Sequence, residues 1–223
     1  MKPVRHLLSA TVLIALGIAL SAWPAGASVT FLNVVPSAYL VGQSKALLLS
    51  DYVQGTGSGD GFNGSFVDLT YGFSDWLEAG PFAGTSGDYD SVSWGIKTRL
   101  VNPQRVAGWT ISGAVLNLGG GGRPEYYLMG GRQIGQGTDL HLGLIHTFGK
   151  GGETNAMVGL THYIPRLKSY LYLDGRTQEE FGEFTGGIGL YRETEFGWLG
   201  SYLVLDSRPA SSYYAVEIGF FLD

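Results

Sequence analysis

The chain contains no cysteine. That excludes a disulfide, a thiolate metal site and a lipidated N-terminal cysteine. Charge is scarce as well: only 15% of the 223 residues are Asp, Glu, Lys or Arg, and acids outnumber bases by 19 to 14, for a formal net of −5. A chain so short of positive charge has no electrostatic hold on nucleic acid, and no nucleic-acid partner is expected. Long apolar runs are missing too. After the first 27 residues no window resembles a membrane helix.

Glycine and aromatics are what the chain has in abundance. There are 36 glycines, roughly twice the usual ~7% share, and 13% of the residues are Phe, Trp or Tyr. The N-terminus is specific. Lys2 and Arg5 precede the apolar run Leu7 to Leu20, and Ala25-Gly26-Ala27 follows as a small-x-small cleavage site. This is the layout of a secretory signal peptide; the run is shorter than the ~20 residues a spanning helix needs. Residues 1–27 are therefore expected to be removed, which lowers the base count from 14 to 12 against 19 acids, a net of −7. An exported chain of this composition is either a secreted β-protein or an outer-membrane barrel, and periodicity decides between them.

The period is two. Val67, Leu69, Tyr71 and Phe73 share one face of a strand and Asp68, Thr70 and Gly72 the other. After Ser74-Asp75 the alternation resumes, with Leu77, Ala79, Pro81 and Ala83 opposite Glu78 and Gly80, so the two runs read as a hairpin with a minimal turn. Trp94, Ile96 and Leu100 oppose Ser93, Gly95, Lys97 and Arg99. Comparable runs cover 140–148, 156–164, 167–174, 184–191 and 214–222, and less distinct ones 45–54, 107–117, 124–134 and 196–205. The total is twelve strands, an even number, each near the ~9–11 residues of a tilted membrane strand.

The connections alternate in length. "GTGSGDGFNG", "TSGDYDS", "GGGGRPE", "GKGGET", "GRTQEEFGE" and "DSRPASS" are the longer ones, and "SD", "NPQR", "GQGT", "PR" and "ETE" fall between them. Bacterial outer-membrane barrels have this rhythm, with short turns on the periplasmic side and long loops outside. One face is Leu, Val, Ile and Phe with aromatics near the strand ends (Tyr71, Phe73, Trp94, Trp109, Phe148, Phe196, Trp198, Tyr214, Phe220), as suits a lipid-facing band with interfacial girdles. The other carries Asp, Glu, Lys, Thr, Ser, Tyr and glycine, and would line a lumen.

The stretch "YGFSDWLEAG", residues 71–80, resembles the Tyr-Gly-x-Ser/Thr-Asp-x-Leu-Glu-x-Gly hairpin of many Gram-negative outer-membrane β-barrel proteins. The motif spans ten residues, while the alternating pattern covers nearly all of 45–223. The resemblance is to a porin-like class and implies no substrate. The C-terminus departs from the class: such barrels often end on an aromatic that the insertion machinery reads, whereas this chain ends Phe220-Phe221-Leu222-Asp223.

Little in the pattern suggests an enzyme. His141 lies on the polar face beside Asp139, but that face has no serine within two or three positions to act as nucleophile; His146 and His162 fall on the apolar face near strand ends. The loop acids Asp60, Asp88, Asp90, Glu153, Glu179 and Glu180 lack the spacing of a calcium loop, and the glycines at 119–122 are followed by no helix that would complete a phosphate site. No catalytic residue, metal or cofactor is expected.

The polar-face charges are the informative set. Asp51, Asp68, Glu78, Lys97, Arg99, Glu125, His141, Lys168, Asp174, Glu183 and Glu217 are predicted to point inward, because Lys or Arg facing lipid at mid-depth costs about 2–4 kcal/mol. They either pair across a narrow lumen and plug it, or line a water-filled path and set its ion preference. Residues 28–44 precede the first strand, with the lumen, the periplasmic rim and an added strand all open to them.

The sequence thus predicts a signal peptide over 1–27, an N-terminal segment over 28–44, and a closed antiparallel transmembrane β-barrel of about 12 strands over 45–223, in the outer membrane of a Gram-negative bacterium. Its expected partners are outer-membrane lipid and the barrel-insertion machinery, with the oligomeric state open. The expected function is a passive channel for small polar solutes or ions, with the eleven residues above as its lining. A sealed barrel presenting surface loops is the alternative, and an outer-membrane hydrolase comes third.

Overall fold

The structure is a computed structural model, and it describes residues 37, 39–55, 63–84, 92–101, 106–120, 122–149, 151–178, 183–195, 197–207 and 212–222. The signal peptide and most of the 28–44 segment lie outside these residues, as do Phe196 and the loop acids Asp60, Asp88, Asp90, Glu179 and Glu180.

Period-2 alternation yields strands throughout: β1 (Ala46–Gly55), β2 (Asn63–Ser74), β3 (Leu77–Gly84), β4 (Ser93–Val101), β5 (Thr110–Leu118), β6 (Glu125–Gly135), β7 (Thr138–Thr147), β8 (Thr154–Ile164), β9 (Ser169–Gln178), β10 (Glu183–Glu193), β11 (Gly197–Asp206) and β12 (Tyr213–Leu222). Each pairs antiparallel with its sequence neighbours, and β1 pairs with β12 from Ala46↔Leu222 to Gly55↔Tyr213, so the sheet closes into a twelve-stranded barrel. Closure leaves no edge, so every strand finds hydrogen-bond partners on both sides, as a hydrocarbon surrounding demands. No helix among the described residues is long and apolar enough to cross a membrane; the crossing elements are strands.

Both ends of the described chain and the tight connections share one mouth, called here the turn end; the long connections share the loop end. One connection breaks the expected rhythm. Residues 102–109 join β4 to β5 at the turn end and match the longest loop in length. A four-residue "NPQR" turn was expected there, with a strand from 107. Ala107 (φ 47°) and Gly108 (φ 81°) instead take left-handed backbone, and Trp109 N–H donates to the Val106 carbonyl at 2.8 Å, so extended structure resumes only at Thr110. The Tyr71–Gly80 hairpin turns at Asp75-Trp76, one residue later than expected, because a bulge between Gly72 and Ser74 uses up a position.

The outer surface is apolar. Leu69, Trp94, Ile96, Leu128, Leu142, Leu144, Val158, Leu173, Ile188, Leu199, Val216 and Ile218 all point away from the barrel and are exposed. Among the described strands, the outward positions carry just two charged residues, Arg132 and Arg192, both close to the turn end. Their aliphatic stems can lie along the band while the guanidinium reaches the headgroups. Trp109 caps the band at the same end, its ring 3.2 Å from where a Cβ on Gly130 would sit.

The inner surface is less uniformly polar than alternation suggested. Leu47, Leu49, Val53, Met129, Ile145, Met157 and Val204 are buried inside with Tyr127, Tyr172, Tyr191 and Tyr202. Leu47, Leu49 and Val53 explain why β1 is indistinct in the sequence. Both of its faces are apolar, so the period-2 contrast fades.

Candidate functional site

The candidate site is the inner wall, because that is where the ionisable residues gather. Ten of the eleven residues predicted to face inward do so by strand parity: Asp51, Asp68, Glu78, Lys97, Arg99, Glu125, His141, Asp174, Glu183 and Glu217. Lys168 does not. It occupies the turn between β8 and β9, exposed and left-handed (φ 48°, ψ 47°), because Pro165 starts a short 3-10 turn that ends the strand alternation at Ile164. Trp198, expected in the lipid-facing girdle, is also turned around. It lies 4% exposed inside the barrel and donates its indole N–H to Glu217 Oε1.

Four inward ionisable residues escaped the sequence reading as lining: Asp139, Arg176, Glu193 and Asp206. Each sits near the end of a strand that runs further than its hydrophobic alternation, so the parity continues past the last apolar marker. With them, the inner faces of the described strands hold ten carboxyl groups (Asp51, Asp68, Glu78, Glu125, Asp139, Asp174, Glu183, Glu193, Asp206, Glu217) and three bases (Lys97, Arg99, Arg176).

At the turn end a strap crosses the lumen. Residues 39–44 precede β1 without forming a strand, and Leu40 and Val41 are 4% and 5% exposed. Val41 N–H donates to Glu78 Oε2 on β3 at 2.6 Å, and the Tyr39 hydroxyl donates to Asp139 Oδ1 on β7 at 2.9 Å. β7 lies six strands from β1 around a ring of twelve, so the strap joins opposite walls. Its base is clipped to β2, where Ser44 N–H donates to the Gly72 carbonyl at 2.8 Å and Gly72 N–H to the Lys45 carbonyl at 2.9 Å. A side chain at position 72 could not fit, because its Cβ would lie 1.7 Å from the Gly42 oxygen. Burial, then the Asp139 carboxylate, raises the Tyr39 phenol above its ordinary range and keeps it a donor.

Glu78 ties this strap to the wall charges. It sits opposite Lys97 in the β3–β4 register, and Lys97 Nζ lies 3.1 Å from Glu78 Oε1. Both side chains are almost wholly buried. His141, 1% exposed, meets the Tyr39 ring edge-on at 5.3 Å between centroids. That is the setting of a packed wall histidine.

From Glu78 the acids continue on consecutive strands. Asp68 lies on β2 opposite Leu49, and Asp51 on β1 pairs in register with Glu217 on β12. Glu217 also accepts the Trp198 indole N–H. Among the described residues no group of three or more His, Asp or Glu could hold a metal ion.

The far wall is aromatic. Tyr163, Tyr170, Tyr172, Tyr191, Tyr202 and Tyr213 form a ladder from β8 to β12, with successive ring centroids 4.8, 6.1, 4.7, 6.3 and 6.3 Å apart. Glycine makes room for it: a Cβ on Gly200 would lie 2.1 Å from Tyr191 Cδ1.

No protein-family model matches the sequence, and no curated protein sequence does either. Solved structures match the shape. One is a KdgM porin, 11% identical, with a TM-score of 0.59 over 80% of this chain and 98% of that one. The same porin in complex with disordered oligogalacturonate gives 0.57 at 10% identity over the same shares. The Acinetobacter baumannii outer membrane protein Omp33 gives 0.50 at 12% identity, over 81% of this chain and 98% of its own. The fold is that of the outer-membrane porins, and an apolar exterior around an ionisable interior places the barrel in the outer membrane.

Proposed function

We propose that this porin-like outer-membrane barrel is a passive channel for small polar solutes or ions, narrowed at its turn end by residues 39–44. The observation that carries the reading is the inner wall. A barrel that only had to be sealed could fill itself with apolar side chains, since a buried ion pair replaced by well-packed apolar residues often leaves stability equal or higher. This wall keeps thirteen acids and bases instead. Water and passing ions stabilise such groups where packing alone does not.

A twelve-stranded barrel lies between eight-stranded barrels filled by side chains and sixteen-stranded ones with an aqueous channel, so its lumen is narrow by construction. The strap and the tyrosine ladder narrow it further. The structural neighbours, porins by name, support a transport role, but the oligogalacturonate held by one of them is a polyanion and a poor match for this acid-rich wall.

The test is a planar-bilayer recording from the purified, refolded mature chain. Discrete conductance steps are expected. Silence from protein proven folded would transfer the role to the surface loops, as a sealed barrel would have it.

A further inference from the structure

We propose that the lumen selects cations over anions, the selectivity residing in an acidic seam along β12, β1 and β2. This inference rests on the channel reading above and adds the class of solute.

Charge is sorted by sign across this wall. The outward positions of the described strands hold no carboxylate, and their two arginines sit near the turn end; the inward positions hold ten carboxyl groups and three bases. Lipid explains why charge avoids the outer face at mid-depth, but it explains nothing about the sign of what collects inside. The imbalance is therefore a property of the lumen.

The bases lie off the seam, Arg176 on β9 and Lys97 and Arg99 on β4. Lys97 is held by Glu78, so that pair cancels locally. Arg99 shares the inner face of β4 with Lys97, leaving β12, β1, β2 and β3 without an inward base. On those four strands Glu217, Asp51, Asp68 and Glu78 follow one another around the barrel. Glu78 spends its two oxygens on Lys97 and the Val41 N–H, which leaves Glu217, Asp51 and Asp68 to offer oxygen acceptors to a passing cation and a repulsive face to an anion. Low-dielectric walls concentrate such a field along the axis of a narrow pore, and acidic rings set cation preference in channels by this means. The solutes that fit are inorganic cations and small organic amines.

The reversal potential of the refolded mature chain in an asymmetric potassium chloride gradient reads the preference directly. A potential of the sign set by potassium is expected. In the D51N/E217Q variant, which keeps the shapes and hydrogen-bonding capacity of the central pair, most of that potential should be lost while conductance steps persist. D68N is the second variant should the double change fail to fold, with a smaller shift in the same direction. A chloride-signed or zero potential in the unaltered protein overturns the cation inference and leaves the channel reading standing. So does a potential that neither variant alters. Absence of any conductance from folded protein overturns both.

Discussion

The two sides of the lumen are built from different materials. Along β12 to β4 the inward positions carry Glu217, Asp51, Asp68, Glu78 and Lys97 with no run of stacked rings, whereas from β8 to β11 a continuous ladder of Tyr163, Tyr170, Tyr172, Tyr191 and Tyr202 lies among Asp174, Arg176, Glu183, Glu193 and Asp206. Tyrosine rings in edge and stacked contact satisfy one another by dispersion and quadrupole attraction and need nothing from solvent. Carboxyl groups need a proton, a base, a donor or water. The tyrosine ladder therefore works as permanent filling, and the seam without one is where a path for water and ions belongs. Selectivity and stability should separate accordingly under mutation.

The largest effect is expected at the junction of strap and acidic side. Lys97→Met would leave Glu78 buried with no cation beside it, at a cost of about 3–5 kcal/mol in the unfolding free energy measured by urea titration in lipid. Adding Glu78→Gln should return most of that loss. If the single variant were as stable as the parent, Glu78 would already be solvated, and the wet side would reach as far as the strap.

Next comes the aromatic side. Tyr172 is 3% exposed and contacts Tyr170 and Tyr191, so Tyr172→Ala should cost about 3 kcal/mol, the lower end of the range because neighbouring rings can lean in. The reversal potential should stay where it was, and a shift would break the comparison. Gly200→Val is milder and of opposite kind. It overfills the same wall, pushing on Tyr191, and should cost about 1–3 kcal/mol in the same titration, again with selectivity intact.

The barrel was legible in the sequence because lipid and lumen impose opposite demands on successive residues. Lys97 and Arg99 share a face with Ser93 and Gly95 while Trp94, Ile96 and Leu100 share the other, and a membrane barrel asks for that contrast at strand after strand. Legibility fell where that contrast weakened. β1 packs Leu47, Leu49 and Val53 inward, so its faces look alike. Trp198 reads as an interfacial aromatic by type, yet its parity with Tyr202 and Val204 assigns it to the lumen, where its N–H meets Glu217. Lys168 was misplaced for the converse reason: the next strand was begun at Leu167, directly after Pro165-Arg166, whereas the turn that Pro165 starts runs on through Lys168. The strap was legible only as one of three alternatives for residues 28–44, and its contacts were not. Tyr39 and Asp139 are one hundred residues apart, and nothing local in either segment announces their contact.

That contact supplies the smallest effect and the finest test of the division. Tyr39→Phe removes one hydrogen bond to Asp139 but keeps the ring against His141, so the strap should be loosened by about 1 kcal/mol, roughly a fivefold shift in its docked fraction. The wall itself is untouched, and urea unfolding should not change. What should change is the recording: longer or more frequent openings at the same reversal potential, because the strap governs access whereas the acids govern sign. Longer openings together with weakened cation preference would mean that the strap, through Glu78 and Asp139, is part of the selective surface and that gate and filter are one structure.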